Sequence, residues 1–245
     1  MNFSIRKTKA IFIKELKEYY RNPYIIFVLL LPLVFSLFYS NLFRDTKVFI
    51  PVMNFCINLS IVLLGIQLPS YFILEEKEKK TLDVLILSSV NALEFITGKL
   101  LPIIIVSIIS NMIVLFLFNT NFECIIPLMI ITTVNSLIMI IFSTIIALIS
   151  TNQMHGQLYL ILFIIIFFIL PSSILLFNNI FNSIILKFLN TIFSILGISQ
   201  MNLIIQNILS GRGLLYSKIG LLITIIWLIV PFIIFSYIYK HKKLY

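Results

Sequence analysis

The sequence predicts an all-α integral membrane protein: six spanning helices, an N-terminal amphipathic interfacial helix, a short charged cytoplasmic helix and outer-face helices before the last span. Three observations lead there. Of the 245 residues, 60% are hydrophobic and only 11% charged, whereas a soluble domain carries roughly 25% charged residues. Mean hydropathy is correspondingly high, at +1.12. Six apolar runs (24–41, 50–74, 100–118, 125–149, 157–177 and 214–239) approach or exceed the roughly 20 residues a helix needs to cross the hydrocarbon core. Thirteen of the 18 Lys and Arg flank those runs on one side, and the excess marks that side, with both termini, as cytoplasmic. The whole chain, 1–245, reads as one transmembrane domain.

The formal net charge of +9 therefore reflects topology and contact with anionic lipid. A nucleic-acid surface would need basic residues interleaved with aromatics on a soluble face, and no segment has that pattern. The first apolar run is not a cleavable signal peptide, because Tyr39, Ser40, Asn41 and Leu42 follow it without a short core and small-residue cleavage site.

Residues 1–23 form the interfacial element. From 5 to 21, Ile5, Thr8, Phe12, Leu16 and Tyr19 fall on one helical face and Lys7, Lys14, Glu18 and Arg21 on another. A basic amphipathic helix of this kind lies in the membrane interface. Asn22-Pro23 then turns the chain, with Pro23 at a helix start where its missing N–H costs nothing. Composition leaves two readings open: a plain anchor, or a lever that touches a cytoplasmic partner.

Between the second and third runs lies the dense charged stretch of the chain. Residues 76–90 carry its first helix, from Glu76 to about Leu87, where Leu82, Leu85 and Ile86 make a small apolar patch at helical spacing. Ser88-Ser89-Val90 breaks the helix, and Asn91 with Glu94 resembles an N-cap and its box partner, opening a second helix toward Gly98-Lys99. A solvated turn would not need the apolar patch, so the segment reads as a docking element for a soluble partner.

Residues 178–213 are too polar to span: Asn178, Asn182, Asn190, Gln200, Asn202 and Gln206 alternate with apolar residues, and Gly211 ends the last helix. One or two short helices would lie at, or dip into, the outer face. Within the spans the polar residues are uncharged. Asn54 and Asn58 mark the second, Ser107 and Asn111 the third, and Thr132 and Ser136 the fourth. Such residues mediate close helix packing, and they are also the candidates for lining a pathway or dimer seam. Cys56 and Cys124 both fall near the outer face, with no spacing that supports a disulfide.

Catalytic and metal-binding signatures are missing. His155 and His241 lie at the boundary without nearby carboxylates, and no H-E-x-x-H or G-x-S-x-G occurs. Gly98-Lys99 is not a phosphate-binding loop, since Leu93 stands where the first Gly would be and Leu100 follows in place of Ser or Thr. Neither 24–43, 124–186 nor 219–239 contains a single Asp, Glu, Lys or Arg. Carriers driven by ion gradients keep ionisable groups at mid-membrane, because those groups do the coupling. A pump built on this chain must take its energy from outside the membrane, through the charged loop.

Those residues resemble a known family. Glu76-Lys77-Glu78-Lys79-Lys80-Thr81-Leu82-Asp83, continued by Val84-Leu85-Ile86 and closed by Gly98-Lys99, is similar to the first cytoplasmic loop of ABC-2 type ABC transporter permeases. Lys14-Glu15-Leu16 and Tyr20-Arg21-Asn22-Pro23 resemble that family's opening. Two positions depart: Lys80 where Gly is common, and Ser89 where Pro is common. The resemblance implies an ATPase-coupling site at Glu76, Glu78, Thr81, Leu82, Asp83, Leu85, Ile86, Gly98 and Lys99, supported by Lys14, Glu15 and Arg21 of the interfacial helix. It implies a second permease, identical or related, and two ABC ATPase subunits that carry the ATP and magnesium, with no cofactor, metal or catalytic residue on this chain. It further implies export from the cytoplasm. The chain's abundant Ile and Lys suit a low-GC bacterium, which would place it in the bacterial cytoplasmic membrane. The expected cargo is hydrophobic or amphipathic, such as a peptide antibiotic, drug or lipid-like molecule. The competing reading is a scaffold or sensor subunit that recruits a cytoplasmic partner without transport.

Overall fold

The computed structural model describes residues 4–44, 46, 48–81, 94, 96–171, 191 and 194–242, and every regular element among them is helical. In chain order they are α1 (Ile5–Arg21), α2 (Pro23–Leu42), α3 (Phe49–Glu78), α4 (Thr97–Leu117), α5 (Phe122–Ile149), α6 (Gln153–Ile169), α7 (Gly197–Leu209) and α8 (Lys218–Lys242). Five of these, α2, α3, α4, α5 and α8, are long and apolar enough to cross a membrane, and α6 is a shorter apolar helix. The outer end of the expected span 157–177 falls outside the described residues.

Local chemistry sets the joints. Asn22 closes α1 and caps α2, its Oδ1 accepting the Tyr24 amide at 3.0 Å, while Pro23 occupies the first turn. The Asn22 Nδ2 also donates to the Tyr71 hydroxyl at 3.0 Å, which fixes the bend against α3. α3 contains a π-helical turn at Leu63–Gln67. Its Ile66 carbonyl accepts both the Ser70 Oγ (2.7 Å) and the Ser143 Oγ of α5 (2.9 Å), so backbone displaced from the regular ladder stays satisfied in an apolar interior. Gly65 lies in that turn. A Cβ there would sit 3.1 Å from the Met139 Cβ, so glycine lets α3 and α5 pack close, as small residues do between membrane helices.

α7 dips into the bundle. Its 13 residues make a rod about 20 Å long. At one end the Cys124 Sγ, two residues into α5, donates to the Ile208 carbonyl; at the other, Gly197 packs on Trp227, well inside α8. α7 ends as the sequence predicts: Gly211 takes a φ of +76°, and the Arg212 amide donates back to the Asn207 carbonyl at 3.0 Å. Both cysteines are free, Cys56 being buried in α3.

The face of α1 that packs on the protein is Ile11, Glu15 and Tyr19; Ile5 is exposed, and Phe12 and Leu16 are half-buried. One expectation needs correction, and it concerns residues 76–78, assigned above to a separate helix. They continue α3, whose helix runs to Glu78 before turning at Lys79 and Lys80. The helix outlasts its apolar run because Glu76 and Lys77 find partners on neighbouring helices.

Candidate functional site

At the end of the bundle where α1 lies, three elements meet around one buried carboxylate. Glu76, in the last turn of α3, accepts from the Lys14 ammonium of α1 at 2.5 Å and from Lys99 at the start of α4. Lys99 also lies 3.3 Å from the Glu15 carboxylate of α1, as an ion pair without a hydrogen bond. The three central groups are almost wholly enclosed: Lys99 is 1% exposed, Glu15 0% and Glu76 6%. Breaking such a buried pair strands a charge out of water, so the cluster binds α1, α3 and α4 into one joint.

Glu15 is the odd member, since neither of its oxygens has a hydrogen bond. Burial pushes its carboxyl up to about 7, against the pull of Lys99 and with a smaller push from Glu76. Burial works against the Lys14 ammonium too, but the hydrogen bond and charge of Glu76 outweigh it and leave Lys14 raised above its ordinary value. Near neutral pH the joint therefore keeps the Lys14 ammonium charged, with Glu15 able to take or release a proton.

Backbone contacts complete the joint. A Cβ on Gly98 would lie 2.9 Å from the Ile11 Cβ and 3.1 Å from the Thr8 carbonyl oxygen, so glycine here allows α4 to start directly against α1. The Glu94 carboxylate accepts the Ser4 amide at 2.6 Å, holding the N-terminus of α1 where negative charge is favoured. Tyr19 packs on Phe72 with ring centroids 5.3 Å apart. A cleft of about 400 Å³ opens beside the joint, lined by Lys14, Arg21, Asn22, Phe72, Glu75 and Lys79 among others.

The structure thus brings together Lys14, Glu15, Glu76, Gly98 and Lys99 from the sequence reading and sets Arg21 on the adjoining cleft. Glu78 is exposed, and Thr81 donates its hydroxyl to the Glu76 carbonyl at 3.2 Å. Leu82, Asp83, Leu85 and Ile86, with the Asn91 cap, lie outside the described residues. Lys80 takes a φ of +56°, the left-handed conformation that glycine adopts freely, so the departure at this position falls on a strained turn. Two participants escaped the sequence reading. Glu94 was expected to cap Asn91, and nothing in hydropathy distinguishes Lys77 from solvated neighbours. Lys77 donates to the carbonyls of Ala147, Leu148 and Ser150 at the end of α5.

The polar residues of the spans form a separate group. Asn58 donates to the Asn202 Oδ1 of α7 at 2.8 Å, Asn111 to the Ser136 Oγ at 3.5 Å, and Ser60 and Ser110 face each other at 3.2 Å. Ser107 and Thr132 bond their own helices, and both amide atoms of Asn54 are buried without a partner. All six candidates for a pathway or seam are buried within this one chain.

The family model described as ABC-2 type transporter matches residues 6–190, from the first turn of α1 to beyond α6, three-quarters of the chain. No curated protein matches the chain.

Proposed function

The chain belongs to the ABC-2 type transporter family, and on that premise we propose that it is the permease of an ATP-driven exporter, coupled to its ATPases through the Glu76 joint. It is a transport permease, the membrane component of an assembly that includes ABC ATPase subunits. In the proposed complex two such subunits, carrying ATP and magnesium, dock on two permeases, identical or paralogous. The joint and both termini face the cytoplasm, the membrane is a bacterial cytoplasmic membrane, and the loop from Glu76 to Lys99 receives the push.

The observation that carries this reading is the buried cluster at the root of that loop. Glu76 stands where the chain leaves α3, and Lys99 where it returns as α4. Both ends of the loop and α1 are therefore tied by one set of charge-assisted bonds, and a displacement of the loop must move all three elements together. Because the apolar spans α2, α5 and α8 carry almost no ionisable groups, an ATPase is the source of work that fits. Hydrophobic or amphipathic cargo fits a bundle of this composition.

The test is reconstitution with the ATPase in proteoliposomes, following cargo movement and ATP turnover with ion gradients collapsed. Movement that needs ATP, survives loss of the gradients and disappears in Leu85→Asp is the expected result. Gradient-fed movement by the chain alone contradicts it. Partner binding without movement would favour the scaffold reading.

A further inference from the structure

We propose that Lys77 is a positioning residue that carries displacement of the α3 end into the turn between α5 and α6, so that the push is divided between two limbs of the bundle. This rests on the coupling reading above and extends it to a part of the molecule the Glu76 joint does not touch.

α5 is a 28-residue helix that ends at Ile149, with Ser150 leaving in an extended conformation (ψ 143°). Its last carbonyls form the negative end of the helix dipole. The Lys77 ammonium covers them: it donates to Leu148 at 2.9 Å, to Ala147 at 3.3 Å and to Ser150. The charge belongs to another helix, so the cap is also a tether. One turn earlier on α3, Leu74 presses on the first turn of α6. A Cβ on Gly156 would lie 2.6 Å from the Leu74 Cδ1. Residues three apart share a helix face, and Leu74 and Lys77 together hold both sides of the short 150–152 connection.

Glu76 is adjacent in sequence, and a helix turns about 100° per residue, so its side chain leaves α3 in a different direction, toward α1 and α4. The last turn of α3 is gripped by opposite charges on two faces. A motion entering at Lys79 and Thr81 reaches α1 and α4 through Glu76, and the α5–α6 turn through Lys77. The carbonyl cap is suited to a lysine, whose three donors reach all three acceptors from one point.

The experiment uses the full chain with its ATPase in nanodiscs, with Cys56 and Cys124 replaced. Single cysteines are placed at Met154, 76% exposed at the start of α6, and at Tyr20, 83% exposed on α1. The readout is the change in alkylation rate on adding ATP. Both positions should respond in the otherwise unaltered chain. Lys77→Met should reduce the Met154→Cys response at least fivefold and leave the Tyr20→Cys response in place, and Lys77→Arg, which keeps the charge without the single-point geometry, should restore it in part. Lys77→Gln, too short to span three carbonyls, is the second variant and carries the same expectation. A full Met154→Cys response in Lys77→Met or Lys77→Gln overturns the relay. If neither position responds to ATP in the unaltered chain, the coupling reading itself falls and the relay with it. Hydrogen exchange on the chain without ATPase separates the two: Lys77→Met should speed exchange of the Ser150 amide, which donates to Ile146, by about tenfold. An unchanged rate there overturns the cap whatever the ATPase does.

Discussion

The joint at the α1 end and the polar layer inside the bundle both bury groups that dislike an apolar interior, and they solve the problem in opposite ways. The joint uses full charges in close contact, with Lys14 and Lys99 on one Glu76 carboxylate and Glu15 held by charge alone. The interior uses carboxamides and hydroxyls and leaves many atoms unmatched: both ends of Asn54, one oxygen each on Asn58, Asn111 and Asn135, and the Asn202 nitrogen. Charges so arranged have one good geometry, and leaving it strands an ion. Amides with spare donors and acceptors can exchange partners at small cost. The comparison teaches where this protein is stiff and where it can rearrange: the joint transmits, and the interior between α3, α5 and α7 yields.

The hardest blow to that contrast is Glu76→Gln, which takes the shared carboxylate from Lys14 and Lys99. It should cost about 3–5 kcal/mol, read by thermal unfolding of the chain in detergent. A loss under about 1 kcal/mol would make the cluster a surface-type pair. Next comes Gly98→Ala. The added carbon meets the Ile11 Cβ and the Thr8 carbonyl, so α1 must shift, costing about 1–3 kcal/mol and raising hydrogen exchange along α1. Unchanged α1 protection would show that the close approach is not needed.

The interior should behave differently. Asn58→Leu leaves Asn202 unpaired and should cost about 1–2 kcal/mol, whereas Asn58→Leu with Asn202→Leu should recover most of it. Additive losses in the double variant would place the interior with the joint as a demanding site.

The smallest expected effect is pH-dependent. The Glu15 carboxyl is raised from an ordinary value near 4.5 to about 7, so it favours the folded joint when protonated. Its contribution is complete below about 4.5 and fades as pH rises through 7, which predicts a loss of about 1 kcal/mol between pH 6 and 8. Glu15→Gln should flatten that slope. A slope that persists in the variant assigns it to another group.

Much of this architecture could be read from the residues, and the gaps have physical causes. Long apolar runs define α2 to α5 and α8 because a span must be apolar along its whole length. Gly211 ends α7 because few residues accept a positive φ there. Lys14, Glu15, Glu76, Gly98 and Lys99 were singled out through family resemblance, but their convergence was not legible, since hydropathy counts a charged residue as exposed until its partner is known. Glu15 on the packed face of α1 is the clearest case. Periodicity grouped Phe12 and Leu16 on the apolar face of α1 and gave no sign of a buried carboxylate beside them. Lys77 was hidden for the same reason: its partners are backbone carbonyls about 70 residues away.

The central claim is that work enters this chain through the clamp at Glu76. The most direct measurement is ATP turnover of the partner ATPase in nanodiscs, alone, with the unaltered chain and with Glu76→Gln. The account predicts that the unaltered chain changes turnover and that Glu76→Gln, still assembled in the complex, removes at least nine-tenths of that change. Equal turnover with the two chains in intact complexes would contradict it.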